Sequence, residues 1–120
     1  MPTSGAAKSY DLEERTFQFA SASRAFVKKL RRTIANIEDA KQFIRASGSI
    51  GANYIEANES IGKKDFAMKV KTCRREAKES RYWLRLLDIE AGSGIERDQL
   101  IAEATELMKI FGSIVRKTER

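Results

Sequence analysis

Eight cationic side chains, Lys63, Lys64, Lys71, Arg74, Arg75, Lys78, Arg81 and Arg85, have the clearest chemical use in this sequence. At about 100° per residue in a helix they share an arc of about 120°. The stripe is roughly 33 Å long at a helical rise of about 1.5 Å per residue, which spans several phosphates of a nucleic-acid backbone. Such a stripe predicts an anionic partner, RNA or DNA, gripped through its phosphates with little sequence preference. The competing reading is a solvated helix face neutralised by an i,i+4 pair such as Arg75–Glu79. Like-charged neighbours such as Lys71, Arg75 and Lys78 weigh against it, because they cost stability without a partner. Tyr82 and Trp83 lie beside Arg81 and Arg85, where aromatic rings can stack on bases; rings of this size serve more often as anchors between subunits.

No second constellation of that strength is present. Helix-interior glycines at Gly48 and Gly51, within Ala46-Ser47-Gly48-Ser49-Ile50-Gly51-Ala52, lack the preceding strand and the Gly-Lys-Ser/Thr of a phosphate loop. They predict close helix packing instead. Asn53, Glu56, Glu76 and Glu79, with Arg75 and Arg81, predict a structural polar network within or between subunits. A metal site built from these carboxylates is the weaker alternative, because the chain has no histidine and a di-metal bundle site uses Glu-x-x-His pairs. The same absence removes the usual general base and the partner of a nucleophilic serine or cysteine. Cys73 falls on an apolar seam and reads as core. The sequence therefore predicts no catalytic residues, no metal and no cofactor.

The elements that must position the stripe are helical. Phe66, Val70, Cys73, Ala77, Ser80, Leu84 and Leu87 recur at alternating spacings of four and three opposite the cations, predicting a long third helix from Lys63 to about Glu90 with Gly62 as its N-cap. Leu12, Phe19, Ala20, Phe26, Val27, Leu30 and Ile34 predict a first helix from Asp11, with Asp11 and Glu14 as its N-cap pair. Asn36 and Asp39 suggest the start of a second, whose seam is Ala40, Ile44, Ser47, Gly51 and Tyr54, ending near Asn58 to Gly62. Gly92-Ser93-Gly94 stops the third, and Ser93 with Glu96 reads as a capping box opening a fourth through Leu100, Ala104, Leu107, Phe111 and Ile114. Residues 1–9 lack periodicity and are expected to be a flexible tail; residues 10–120 form one domain. The fold class is all-α, an antiparallel up-and-down four-helix bundle.

Helix three carries Met68, Tyr82, Trp83 and Leu86 outside its seam, and helix four carries Ile101, Met108 and Val115 at seven-residue spacing. Second stripes of this kind predict an oligomer interface through Tyr82, Trp83, Leu86, Ile101, Met108 and Val115; a wider face inside one subunit is the alternative. The net charge of +6 is uneven, with nine Lys/Arg against five Asp/Glu between Lys63 and Glu90. That asymmetry marks an interaction surface. One cysteine, no export signal and no long uncharged apolar run predict a cytoplasmic protein without a membrane partner.

Several segments carry a resemblance: Tyr10-Asp11-Leu12-Glu13-Glu14-Arg15-Thr16, Ser49-Ile50-Gly51-Ala52-Asn53, Glu56-Ala57, Lys63-Lys64-Asp65-Phe66, and the run from Glu76 to Leu87, EAKESRYWLRLL. Together they resemble the bacterial four-helix-bundle proteins named for intervening sequences in 23S ribosomal RNA genes, from about Tyr10 to the end of the chain. The resemblance implies a homo-oligomer, a barrel-like homopentamer. It also implies kinship with the accessory proteins of diversity-generating retroelements, which are basic, bind nucleic acid and contact a reverse transcriptase. It implies no established catalytic site. Arg31 stands where the family commonly has a proline, and Gly62 where a serine commonly caps helix three. The expected function is non-enzymatic binding of nucleic acid. The rivals are a protein–protein adaptor, such as a reverse-transcriptase accessory, and a metal-dependent RNA-processing enzyme.

Overall fold

The computed structural model describes residues 4–120, with side chains described from residue 11 onward. Four helices follow one another: α1 (Ser4–Val27), α2 (Ile34–Asn58), α3 (Lys63–Leu86) and α4 (Gly94–Thr118). No strand occurs among the described residues. Each helix packs antiparallel on the one before it, as cross-helix pairs record: Asn58 with Glu13, Lys69 with Glu56, and Lys71 with Glu119. The bundle is the predicted one.

The core follows from heptad-like seams. Leu12, Thr16, Phe19, Ser23 and Phe26 of α1 face Phe43, Ser47, Ile50, Tyr54 and Ala57 of α2, all of them buried. The hydroxyls of Thr16 and Ser23 lose water but donate to the carbonyls of Leu12 and Phe19, at 2.8 and 2.7 Å, so their burial leaves no donor unsatisfied. Phe19 meets Phe43 edge to face at 6.5 Å, and Tyr54 lies 5.6 Å from Phe111 of α4. On α3 the seam expected from the sequence is the one buried: Val70, Cys73, Ala77, Ser80, Leu84 and Leu87 are all inside, with Phe66 packed at the margin. On α2 the buried line is centred on Phe43 and Ile50, while Ala40 and Ile44 lie at its edge.

Helix ends depart from expectation where tertiary contacts decide them. Residues 1–3 of the expected tail lie outside the described residues, and α1 begins at Ser4, so Asp11 is inside a helix and caps nothing. The good helix formers Ala6, Ala7 and Lys8 let the helix start upstream of its apolar periodicity. Thr33, not Asn36, caps α2: its backbone is extended and its hydroxyl accepts the Asn36 N–H at 3.0 Å. Asn36 is free for another task. Buried at 2% exposure, its Nδ2 donates to the carbonyls of Arg31 and Asp88, and its Oδ1 accepts the Asp88 N–H, at 2.9 to 3.0 Å. This one amide ties the α1–α2 turn to the end of α3, which stops at Leu86 and not near Glu90. Gly62 does cap α3, with extended backbone. Ser93 precedes α4 but makes no side-chain cap bond, because its backbone is already near-helical (φ −96, ψ 0) and does not aim the hydroxyl at the first turn. Gly92 supplies the positive φ of 99° that the turn before it needs.

Gly51 has the packing role expected of it. A Cβ there would stand 2.8 Å from Thr16 Oγ1 and 3.2 Å from Thr16 Cβ, so α1 and α2 approach closely only because the side chain is missing. Gly51→Leu is expected to lower stability by about 1–3 kcal/mol through overpacking, read as the midpoint of urea unfolding; an unchanged midpoint would contradict the close-packing role.

The fourth side of the bundle is the thin one. Among the described residues, α1 rests mainly on α2 and meets α4 at few points. Arg15 bridges the gap, its Nε and Nη2 donating to the two carboxylate oxygens of Glu103 at 2.6 and 2.8 Å. Clefts of about 480 and 650 Å³ open on this side, lined between them by Asp11, Arg15 and Phe19 of α1 and by Leu100, Ile110 and Lys117 of α4.

Candidate nucleic-acid interface

Helix α3 sits between α2 and α4, so its seam is clamped on both flanks and its cations project outward from a rigid element. Seven of the eight predicted residues, Lys63, Lys64, Lys71, Arg74, Arg75, Lys78 and Arg85, are exposed; Arg81 is half-buried and donates to Thr105 Oγ1 of α4 at 3.3 Å. The stripe divides into two environments. Lys71, Arg74, Lys78, Arg81 and Arg85, at spacings of three and four, run along the α4 flank. Arg75 stands on the other side, toward α2, in a mixed-charge patch.

That patch contains part of the predicted polar network. Glu76, with its side chain 8% exposed, is flanked by Arg45 and Arg75 at 3.8 Å, and Arg45 also reaches Glu79 at 3.5 Å. The Arg75–Glu79 pair of the competing reading does not form, because Arg45 of α2 takes Glu79 and leaves Arg75 to Glu76. Asn53 and Glu56 do not join this group. Asn53 turns back to the Ser49 carbonyl, and Glu56 accepts from Lys69 at 2.7 Å, raising the lysine's pKa above its ordinary value. Arg45 and Lys69 were not singled out from the sequence, since only the α2–α3 register shows that they neutralise these carboxylates.

On the α4 flank the balance is different. Lys71 reaches Glu119 at 2.7 Å, while Lys63, Lys64, Arg74, Lys78 and Arg85 have no acidic partner among the described residues. The antiparallel register sets the C-terminal half of α4 beside the first half of α3, from Lys63 to Arg74, and adds cations that sequence reasoning missed. Lys63, Lys64 and Lys71 surround a depression of about 700 Å³ with Thr118, Glu119 and Arg120. Farther along, Arg74 meets Arg116 and Lys109 around Gly112. Arg116 lies in the last turn of α4, where cations are favoured by the helix dipole; its neighbour Lys117 lines the cleft toward α1 instead. No spacing within α4 announces this face; its register against Arg74 creates it.

The predicted interface residues separate by burial. Val115 is in the protomer's own core, and Ile101, Met108 and Trp83 are half-buried against it. All four pack on the protomer's own core, and Trp83, Ile101 and Met108 keep part of their surface exposed. Tyr82 and Leu86 remain exposed, at 55% and 49%, with Met68 on the same outer line of α3. Tyr82 packs edge to face on Trp83 at 5.1 Å.

Cys73 is fully buried, and loss of water pushes its thiol pKa up to about 12, which keeps it protonated and unreactive near neutrality. Among the described residues no group of His, Cys, Asp and Glu could hold a metal ion, and no helix is long and apolar enough to cross a membrane.

Comparison with known proteins adds two findings. The family model for the 23S rRNA-intervening sequence protein matches residues 8–113. A crystal structure of a protein with unknown function from the S23 ribosomal protein family of Bacteroides thetaiotaomicron is similar, with a TM-score of 0.74 and 28% identity, covering 86% of this chain and 96% of that one. Among curated proteins none matches.

Proposed function

The chain belongs to the 23S rRNA-intervening sequence protein family, and from that premise we propose that it is a non-enzymatic protein that binds the phosphate backbone of RNA or DNA along its α3–α4 face. The observation that carries this reading is the set of five α3 cations, Lys63, Lys64, Arg74, Lys78 and Arg85, without acidic partners among the described residues, on a helix whose other flank is neutralised by Arg45, Lys69 and their carboxylates. Charge left uncompensated on one flank and balanced on the other is the footprint of an anionic partner. Assembly as a cytoplasmic homo-oligomer, a pentamer by family resemblance, would multiply that face by symmetry.

The test is the salt dependence of binding to a short single-stranded RNA and to a duplex DNA, followed by fluorescence anisotropy. Phosphate contacts release counterions, so affinity is expected to fall by about 10³-fold or more between about 50 and 200 mM salt. Absence of binding at the low-salt end, or an affinity indifferent to salt, would overturn the proposal. Light scattering on the same sample is expected to give a mass above the 13.6 kDa protomer.

A second reading, a protein–protein adaptor, is favoured by the exposed Met68, Tyr82 and Leu86. An apolar line on the outer face of α3 suits a protein surface better than a phosphate backbone.

A further inference from the structure

Two interior glycines of this bundle differ in what requires them. At Gly51 a Cβ would collide with Thr16, so packing accounts for the glycine. At Gly112, within α4, the nearest atoms a Cβ would meet are Arg116 Nη1 at 3.5 Å and Arg74 Nε and Cδ at 3.6 and 3.8 Å. These are ordinary contacts with the ends of flexible side chains, and alanine would fit. Glycine in a helix interior costs stability relative to alanine, so packing leaves Gly112 without a reason. What a side chain would remove is the space between two guanidinium groups.

Those groups come from different helices and converge on one point. Arg74 and Arg116 have no acidic partner among the described residues, and the small open depression beside them, about 210 Å³, is lined by Arg74, Met108, Lys109, Gly112 and Arg116 without a carboxylate. Lys109 contacts Glu106 at 3.7 Å on the exposed side of α4. Two guanidinium groups pointed at one place repel each other unless an anion lies between them. A tetrahedral oxyanion suits the geometry, since each planar fork offers paired N–H donors to two oxygens.

We propose that Arg74, Arg116 and the bare backbone at Gly112 form a subsite for one phosphate group of a phosphodiester backbone. The subsite deepens the nucleic-acid reading above and rests on it for the larger ligand. It assigns a fixed phosphate position, and with it a register, to a face that would otherwise hold the backbone by diffuse charge alone.

The experiment has two arms, so that the two readings fail separately. In the first, ¹⁵N-labelled protein is titrated with inorganic phosphate at constant ionic strength. Saturable shifts are expected at the Gly112 amide and at the Nε–Hε resonances of Arg74 and Arg116, and not at the Gly62 amide at the far end of the stripe. Gly112→Leu fills the cradle without changing charge and is expected to abolish them. Equal shifts at Gly62 and Gly112, equal shifts with acetate, or shifts that survive Gly112→Leu would overturn the subsite; the acetate result would point to a protein carboxylate instead. In the second arm the same variant is expected to weaken RNA binding several-fold at unchanged net charge. Should Gly112→Leu not fold, Arg116→Gln carries both arms, with Arg85→Gln as the equal-charge control expected to leave the phosphate shifts intact. Phosphate shifts without RNA binding by the parent would leave the subsite standing and end the nucleic-acid reading. RNA binding indifferent to Gly112→Leu, with no phosphate shifts, would do the reverse.

Discussion

Reversing Lys71, Arg74 and Lys78 together to glutamate is expected to reduce nucleic-acid affinity by at least about 100-fold at low salt. The three lie at spacings of three and four on the α4 flank, so one variant removes a contiguous cationic segment. Every phosphate that goes unneutralised flattens the log–log salt dependence by about 0.7 on a single strand and about 0.9 on a duplex, so the slope of the triple variant should be shallower by about 2 and nearly 3 respectively. A shallower slope separates this result from misfolding, which would lower the bound fraction without changing the slope of the remainder. All three side chains are exposed, so the fold is expected to survive, with a small penalty where Lys71→Glu faces Glu119. Unchanged affinity and slope in a folded, normally assembled variant would show that the stripe serves solubility or subunit contacts.

The second large effect concerns stability. Asn36→Ala is expected to cost about 3–4 kcal/mol, because it deletes three hydrogen bonds and leaves the N–H of Asp88 without its acceptor. For a domain of this size that lowers Tm by on the order of 10–15 °C. The measurement is thermal unfolding followed by circular dichroism. Asn36→Asp provides the contrast: it keeps the acceptor for the Asp88 N–H but offers no donor to the two carbonyls, and should fall between the parent and alanine. A loss below about 1 kcal/mol for Asn36→Ala, the size expected of an exposed site, would show that water replaces the amide and that the two turns are not clamped.

The α3 seam and Asn36 mark where the sequence was legible and where it was not. The seam could be read from spacing alone, because a repeat of fours and threes lets only one face be dry; every residue assigned to it from Val70 to Leu87 is buried. Asn36 looked like a helix start because asparagine caps well. Its actual partners, Arg31 and Asp88, include one 52 positions away, beyond the reach of any local pattern. The same limit applied to the charged surface. The α3 cations were visible as a stripe, but whether each had a partner depended on α2 and α4: Arg45 took Glu79 from Arg75, and Arg116 came to rest beside Arg74. The second apolar row of α4 meets a related limit, since periodicity shows that Val115 avoids water without showing whether its own protomer or another copy completes the cover.

The thin contact between α1 and α4 has a consequence for how the molecule opens. With α1 resting mainly on α2 and held to α4 through Arg15 and Glu103, the cheapest excursion from the native state is detachment of α1 while α2, α3 and α4 stay together. Amide protons of α1 would then exchange with solvent ahead of those of α3, which is gripped from both sides. The cationic face lies wholly on the slow-exchanging part, so the protein can breathe along one edge without disturbing the spacing of the charges it presents.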